Sequence, residues 1–550
     1  MRRALPRRPF TTAALAAASL TLVVGVGIDR SFAEDVAVEP VPTTPPAATP
    51  DVIGDRSGAA TAEMIRRSIA IEPPAQPNPD GNADEPTPEE IAAARTQAVD
   101  WLLAHQNNDG GWGQGEESRH MQRAGGQEAN RDPSNVGDTA ASVLALLRVE
   151  GDGFDQIGMR FTERTLKAHQ AIKAGLDYLL TAVETHESND LYITDLRGTR
   201  LQGKLGPFVG TFLTAVTLTE ALGHNPGDER RERITAALER IVDKIEANQQ
   251  ANGGFGGGGW ANALSVSLSN RALNESSRLG IEVDDTVLAR SQQAAAGSDV
   301  VVGDRFAARG DAAGIELYAA AKAVSGTAAN DVALRESVVV AAPQLAQVAQ
   351  QAEKVADELE RDGEADKAEE IRRASRELVI VTEGEALDGD IAGRQAAAAG
   401  ELNAMLFRSE DGRRRYARVA GADAAPASAV ADSLDSFGLA NGRFNDNAEA
   451  LAQTRGVVLQ RLSDQQFVAG FGSDGGEEYL SYMKIGEGLA GDADAQEAFT
   501  HFVKAMKGNL TRVQNQDGSW TGHHCITGRN FCTATALMVM TLDEWAVEKG

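Results

Sequence analysis

The only two cysteines of the sequence lie near its C-terminus, beside two histidines. His523, His524 and Cys525 are consecutive, and Cys532 follows seven positions after Cys525. Two imidazoles with one or two thiolates are ligands suited to a tetrahedral metal site. The same cysteines would form a short disulfide loop in an oxidising compartment. A disulfide, a metal site and free thiols are therefore the alternatives, and we predict the Cys525–Cys532 disulfide.

Two acidic segments are further candidates for chemistry. Asp284 and Asp285, in E-V-D-D, are two adjacent acids, and an acid there would begin a helix as its N-cap. In S-D-G-G-E-E, the carboxylates of Asp474, Glu477 and Glu478 could bind a calcium ion or a sugar. The sequence favours a simpler interpretation, in which Asp474 begins a helix and the glutamates favour its positive N-terminal end.

The elements that position these residues are predicted to be helices. Thr87, Pro88 and Glu90 form a T-P-x-E capping box that starts the first helix of the folded region. Alternating polar and apolar residues are scarce after this point, whereas Ala, Leu, Glu, Gln and Arg are abundant. We therefore predict an all-α fold.

Three of the predicted helices end in the same pattern, Q-x-x-x-G-x-(W/F). Glycine permits the left-handed conformation that ends a helix, and the glutamine can satisfy backbone groups of a neighbouring helix end. After each pattern comes a helix that is apolar or small on nearly all sides, which predicts burial. The two kinds of helix predict two concentric layers. The three patterns consist of Gln106, Gly110 and Trp112; Gln249, Gly253 and Phe255; and Gln514, Gly518 and Trp520.

These patterns resemble the QW repeats of the prenyltransferase and squalene-oxidase repeat family, whose members include the squalene cyclases. The resemblance covers roughly residues 88–295 and 430–548 and implies an α/α toroid of inner and outer helices. It also implies a possible isoprenoid-processing activity, for which Asp284 and Asp285 would be the acids. The zinc ligands of the prenyltransferases and the thioester motif are missing, and only 5% of the residues are aromatic. We predict no cofactor, and we leave catalysis open.

Residues 298–425 depart from the repeat. Leu345, Val348, Ala352, Val355 and Leu359 recur at coiled-coil spacing. A turn at Asp362–Gly363 follows, and the spacing then continues. We predict an inserted helical hairpin between two toroid segments, residues 87–297 and 426–550. It is either an arm that docks a protein partner or a tolerated insertion.

The N-terminus resembles an export signal. Basic residues precede an uncharged stretch, Thr11–Ile28, and Ser31-Phe32-Ala33 provides a cleavage site. We predict a signal peptide over residues 1–33 and a disordered Pro-rich linker over residues 34–86. The protein would then be periplasmic or secreted, or anchored to the inner membrane if the signal is not cleaved.

The charge and the missing motifs bound the predicted function. A formal net charge of −27 argues against a nucleic-acid partner. We expect an exported, non-catalytic scaffold or binding toroid with a hydrophobic or glycan ligand. The alternatives are an isoprenoid-processing enzyme and a carbohydrate-active toroid, which would need a cleft with paired carboxylates.

Overall fold

The computed structural model describes residues 85–115, 133–156, 161–296, 301–308, 310–379, 389–421, 426–472, 475–490 and 495–549. The predicted signal peptide, nearly all of the predicted linker, and Asp474 lie outside these residues. The described part is all-α except for the two-residue antiparallel strands β1 (Val301–Val302) and β2 (Arg305–Phe306). The helices are α1 (Pro88–Ala104), α2 (Val136–Glu150), α3 (Glu163–Thr185), α4 (Arg200–Leu205), α5 (Val209–Gly223), α6 (Asp228–Asn248), α7 (Asn262–Arg278), α8 (Asp285–Ala296), α9 (Glu316–Arg361), α10 (Ala365–Leu378), α11 (Gly389–Asn403), α12 (Glu410–Ala420), α13 (Ala427–Arg461), α14 (Gln465–Val468), α15 (Gly476–Leu489), α16 (Gln496–Val513), α17 (Arg529–Met540) and α18 (Leu542–Lys549).

The first helix begins as its sequence predicts. The Thr87 hydroxyl accepts from the Glu90 backbone N–H at 3.2 Å, and the Glu90 carboxylate accepts from the Thr87 N–H at 2.8 Å. These two bonds satisfy backbone donors that a helix start leaves without intrahelical partners. The predicted capping box is therefore confirmed, and Pro88 occupies the first turn.

Six buried helices contact one another in a closed cycle. The order is α2, α5, α7, the first turns of α9, α15 and α17, with α17 returning to α2. Helices α2, α5 and α17 are buried at nearly every position, as the all-round apolar sequences predicted. Amphipathic helices pack outside this cycle: α1, α3, α6, α8, α16 and the C-terminal half of α13. We call these six helices the inner helices and their closed cycle of contacts the ring.

The Q-x-x-x-G-x-(W/F) segments join successive outer helices. The Gln106 amide donates to the Ala171 carbonyl of α3 at 2.9 Å, and the Gln514 amide donates to the Ala94 carbonyl of α1 at 2.8 Å. The Gln249 amide donates to the Val287 carbonyl of α8 at 3.1 Å. The bond from Gln514 links the last outer helix to the first.

The glycine and the tryptophan of the third pattern have separate roles. Gly518 has a φ of 88°, and a Cβ atom there would lie 2.7 Å from the Gln97 carbonyl oxygen of α1. The Trp520 indole donates to the Leu510 carbonyl at 2.9 Å, which folds the ring back onto the helix that precedes it. Glycine therefore lets neighbouring outer helices approach, and tryptophan fills the space beneath the turn.

A second hydrophobic core, separate from the first, is formed by the predicted insertion. It includes the coiled-coil residues of α9 together with residues of α10, α11 and α13. Its limits differ from the predicted 298–425. The first turns of α9 belong to the main core, and the second core runs from Leu334 to Phe444. Helices α9 and α13 pass without interruption from one core into the other, so sequence composition does not mark the boundary.

Among the residues that the structure describes, no helix combines the length and the apolar character needed to cross a bilayer.

Candidate functional site

Two adjacent glutamates are fully buried where α15 begins. Glu477 and Glu478 follow Gly475 and Gly476 in a helix that is otherwise apolar or small on almost every side. Both side chains are inaccessible to solvent. The free N–H groups of a helix start favour negative charge, but two buried carboxylates in contact strongly oppose each other's ionisation. Such an arrangement is costly unless a proton or a cation is present.

Hydrogen bonds from outside α15 fix the Glu478 carboxylate. The Tyr318 hydroxyl, from the first turn of α9, donates to its Oε1 at 2.5 Å. The Phe471 backbone N–H donates to the same oxygen at 3.1 Å. Burial, followed by the charge of Glu478, raises the pKa of Tyr318 well above its usual range, so this phenol keeps its proton and acts as a donor.

The Glu477 carboxyl is held on one side only. Its Oε2 accepts from the Ile526 backbone N–H at 3.1 Å, whereas its buried Oε1 has no hydrogen-bond partner. Burial, and then the charge of Glu478, raises the pKa of Glu477 to about 8. Glu477 therefore retains a proton at neutral pH.

His524 faces both glutamates from the loop between α16 and α17. Its Nε2 lies 3.6 Å from the Glu478 Oε2, and its side chain is 12% exposed. Neither ring nitrogen makes a hydrogen bond. Burial lowers the pKa of His524 to about 4, so the imidazole is neutral and its lone pair is available. One ligand atom from each of Glu477, Glu478 and His524 lies within 4.8 Å of the other two, a grouping that could hold a metal ion.

Glycines allow this close approach. A Cβ atom at Gly475 would lie 2.6 Å from the Glu478 Oε2 and 2.8 Å from the His524 Cε1. A Cβ atom at Gly472 would lie 2.7 Å from the His524 ring. Any larger residue at either position would displace the imidazole from the acids.

The predicted disulfide is wrong for this structure, because Cys525 and Cys532 are both free thiols. The Cys532 thiol is buried in α17 and donates to the Ile526 carbonyl at 3.4 Å. Cys525 has a left-handed backbone, with a φ of 50°, and Lys204 lowers the pKa of its thiol against the larger effect of burial. Burial raises the pKa of both thiols, that of Cys525 to about 12.

The predicted metal ligands are only partly brought together. His524 joins the glutamates, whereas the exposed His523 and both cysteines are outside the metal-competent group. Sequence analysis did not identify Tyr318 and did not predict that His524 would lie beside Glu477 and Glu478. One signal was available: a G-G-E-E segment that opens an otherwise apolar helix places two charges where burial is expected.

The candidate proton donors lie elsewhere. Asp284 and Asp285 are exposed at the start of the outer helix α8. The Asp284 Oδ1 accepts from the Thr286 and Val287 N–H groups at 2.8 and 3.0 Å, and these bonds, the one from Val287 first, lower its pKa. Asp284 is therefore an N-cap, and the interpretation of these acids as buried proton donors is wrong.

Basic and aromatic side chains lie beside the acid pair. Lys204 lies at the end of α4, and its Nζ is 5.5 Å from the centre of the Trp260 ring. The Trp260 ring packs edge-on to Phe471 at 5.7 Å, and Phe471 packs edge-on to His524 at 5.0 Å. The glycine-rich segment before Trp260 contacts Gly206 and Pro207, which brings Trp260 to Lys204.

A second buried charged group lies at the other end of α15. Glu487 forms ion pairs with Arg148 and with Arg271, the latter at 2.8 Å. Arg271 also pairs with Glu220 and Glu275, and both arginines lie over the Trp545 ring. Opposite charges balance one another here, in contrast to the acid pair.

Comparison of the chain with protein-family models, with curated proteins and with solved structures found no match.

Proposed function

We propose that this chain is a metal-binding protein built as an α/α toroid of the QW-repeat type. Glu477, Glu478 and His524 bind one divalent transition-metal ion at the end of the ring where the inner helix α15 begins. The proposal keeps the binding toroid expected from the sequence and replaces its hydrophobic or glycan ligand with a metal ion. The closed cycle of helix contacts supports the toroid.

One observation carries the proposal: the unsatisfied Glu477 Oε1 in a group of three ligands whose two carboxylates are fully buried. Buried carboxylates are normally paired, hydrogen bonded or bound to a metal. A divalent ion would neutralise the charge of both glutamates and would bind one of the free ring nitrogens of His524. Tyr318 would orient Glu478, as a hydrogen-bonding partner of a ligand commonly does.

The donor set selects the class of metal. Two carboxylates with one neutral imidazole suit zinc, manganese or iron(II), whereas calcium and magnesium prefer oxygen ligands alone. Three protein ligands leave a fourth position of a tetrahedral zinc ion for another ligand. Zinc is therefore the first probe, and calcium is the matched negative control.

The burial of both glutamates also argues against the carbohydrate-active alternative. A glycosidase needs its two carboxyl groups on either side of a bound sugar. Here both glutamates are inaccessible, and the exposed part of the site is a small fraction of His524. A metal ion can enter such a site, whereas a polysaccharide cannot.

The proposal is tested by isothermal titration of the full chain, stripped of metal, with zinc. We expect one zinc ion per chain and no binding of calcium. Glu477→Gln and His524→Ala each remove a ligand, so each should weaken zinc binding by more than the roughly 10–100-fold typical of losing a residue that supports a ligand. His523→Ala is the matched control and should leave the affinity unchanged. Zinc binding that survives Glu477→Gln and His524→Ala would overturn the proposal.

Export and a protein partner remain part of the same proposal. The uncharged segment Thr11–Ile28 after a basic N-terminus supports export as a periplasmic or secreted protein. The separate second core from Leu334 to Phe444 supports an arm that docks a protein partner. The strongly acidic charge argues that this partner is not a nucleic acid.

A further inference from the structure

We propose that the bound metal ion takes a small oxyanion, a carboxylate or a phosphate, as its remaining ligand, and that Lys204 and the Trp260 indole N–H hold this anion. The inference rests on the metal site proposed above and names the ligand class of that site.

The first support is the charge of the loaded site. A divalent ion bound by two carboxylates and a neutral imidazole has no net charge. Lys204 adds one positive charge, and none of the ion pairs identified among the described residues gives it a carboxylate partner. A monoanion bound to the metal would neutralise this charge. In a site shielded from water, such an interaction is much stronger than on an exposed surface.

The position of Lys204 supports the same ligand. Its ammonium group acts on the thiol of Cys525, the residue that follows His524, and lowers the pKa of that thiol against the larger effect of burial. Its charge also acts on Glu477 and on His524. A thiol is a weak acceptor for an ammonium group, so an oxyanion oxygen would replace it at a gain.

Trp260 gives an independent observation. Its indole Nε1 is shielded from solvent and donates to no acceptor among the described residues. The Trp260 ring is in contact with Phe471, which itself packs on His524. A buried donor without an acceptor costs free energy, and a ligand oxygen would remove that cost. The anion would therefore lie between the metal ion and two unused donors.

The limited exposure of the site sets the size of the anion. The His524 side chain is only 12% exposed, and Phe471 is partly buried beside it. A ligand of acetate or phosphate size fits this requirement better than a polymer. Acetate and inorganic phosphate are therefore the two probes, and comparison of their affinities shows whether the site prefers a carboxylate or a phosphate.

The test uses the full chain loaded with cobalt(II), whose visible absorption bands change when a ligand enters the metal coordination. Addition of acetate or phosphate should change these bands with a saturable dependence on concentration. Lys204→Met removes the charged donor and should weaken anion binding about tenfold or more. Trp260→Phe keeps the ring, removes the N–H, and should weaken it about two- to tenfold. Lys167→Met, an exposed lysine on α3, is the control.

The outcomes separate the two proposals. If the wild-type chain binds no cobalt, both the metal site and the anion site are wrong. If cobalt binds but neither anion changes the spectrum, or if Lys204→Met binds the anion as tightly as Lys167→Met, only the anion site is wrong. Weaker anion binding by the cobalt-loaded Lys204→Met and Trp260→Phe variants, with anion binding of Lys167→Met unchanged, supports the assignment.

Discussion

The chemistry of this molecule depends on a few residues whose burial conflicts with their charge. Glu477 and Glu478 are inaccessible and adjacent, and Glu477 keeps a proton because burial and the charge of Glu478 raise its pKa. His524 is neutral for the same reason, since burial lowers its pKa to about 4. In the proposed metal site, a protonated Glu477 and a neutral His524 would be the metal-free form, and a divalent cation would displace the Glu477 proton.

Tyr318 allows a prediction at this scale. Its hydroxyl donates to the Glu478 Oε1 at 2.5 Å, and it comes from a different helix than the glutamate. Tyr318→Phe removes this bond while keeping the ring, so Glu478 loses part of its orientation. We expect zinc affinity to fall by roughly 10–100-fold, measured by competition with a chromogenic chelator.

Tyr482→Phe is the control for this prediction. Its hydroxyl donates to the Val468 carbonyl at 2.8 Å and has no part in the ligand group. This variant should bind zinc as the wild type does. If Tyr318→Phe and Tyr482→Phe have the same zinc affinity, Tyr318 does not orient a metal ligand.

Among the elements, the inner helix α15 joins the two buried polar groups of the ring. Its first turn carries the acid pair, and its last turn carries Glu487, whose pKa falls to about 2 because Arg271 and Arg148 outweigh the effect of burial. Lys484 lies between them, fully buried. Burial lowers the pKa of Lys484 to about 7, and Arg271 and Arg148 add to this effect, whereas Glu487 opposes it.

Lys484 predicts a pH-dependent stability. The unfolded lysine titrates near 10.5, so between pH 7 and pH 10.5 the unfolded chain binds a proton that the folded chain lacks. The free energy of unfolding of the wild type therefore rises with pH through this window. The free-energy cost of burying Lys484 is greatest below the window. Lys484→Met removes the penalty. We expect its advantage in the free energy of unfolding to shrink by on the order of 3 kcal/mol between pH 7 and pH 10.

Urea unfolding of both proteins at each pH measures this difference, and other titrating groups cancel between the two curves. An advantage of Lys484→Met that stays constant with pH would contradict the assigned protonation of Lys484.

The success of prediction from the sequence depends on how far apart the interacting residues lie along the chain. The Thr87 capping box, the layers of helices and the turn after α9 were predicted because each depends on neighbours a few positions apart. Glu478, His524 and Tyr318 come from three separate parts of the chain, and only the ring brings them together. The predicted disulfide is absent although Cys525 and Cys532 are close in sequence: Cys525 lies in the loop before α17, whereas the Cys532 thiol, within α17, donates to the Ile526 carbonyl.

At the scale of the whole molecule, the ring depends on contacts between the first and last helices. Helix α17 packs on α2, and the Gln514 amide bridges the Gly518 and Ala94 carbonyls, each at 2.8 Å. The Asn530 amide also donates to the Gly113 carbonyl at 2.7 Å, beside the loop that carries His524. Closure of the ring and the position of the site are therefore linked.

Gln514→Ala tests this closure. The substitution leaves the Ala94 and Gly518 carbonyls without the Gln514 donor, which should lower the free energy of unfolding by about 1–3 kcal/mol. Gln249→Ala is the matched variant, since the bond from Gln249 to the Val287 carbonyl is longer, at 3.1 Å, and joins helices within the ring. A smaller loss is expected there in urea unfolding. Equal losses in the free energy of unfolding would show that the Gln514 contact between the first and last outer helices stabilises the fold no more than the Gln249 contact does.

The central claim is tested most directly by the anomalous scattering of zinc in crystals of the full chain grown with zinc. We predict one strong peak bonded to Glu477, Glu478 and His524, with metal–ligand distances of about 2.0–2.2 Å. Glu477→Gln crystals grown in the same way should lack it. Zinc-containing crystals of the wild type with no peak between these three side chains would contradict the account.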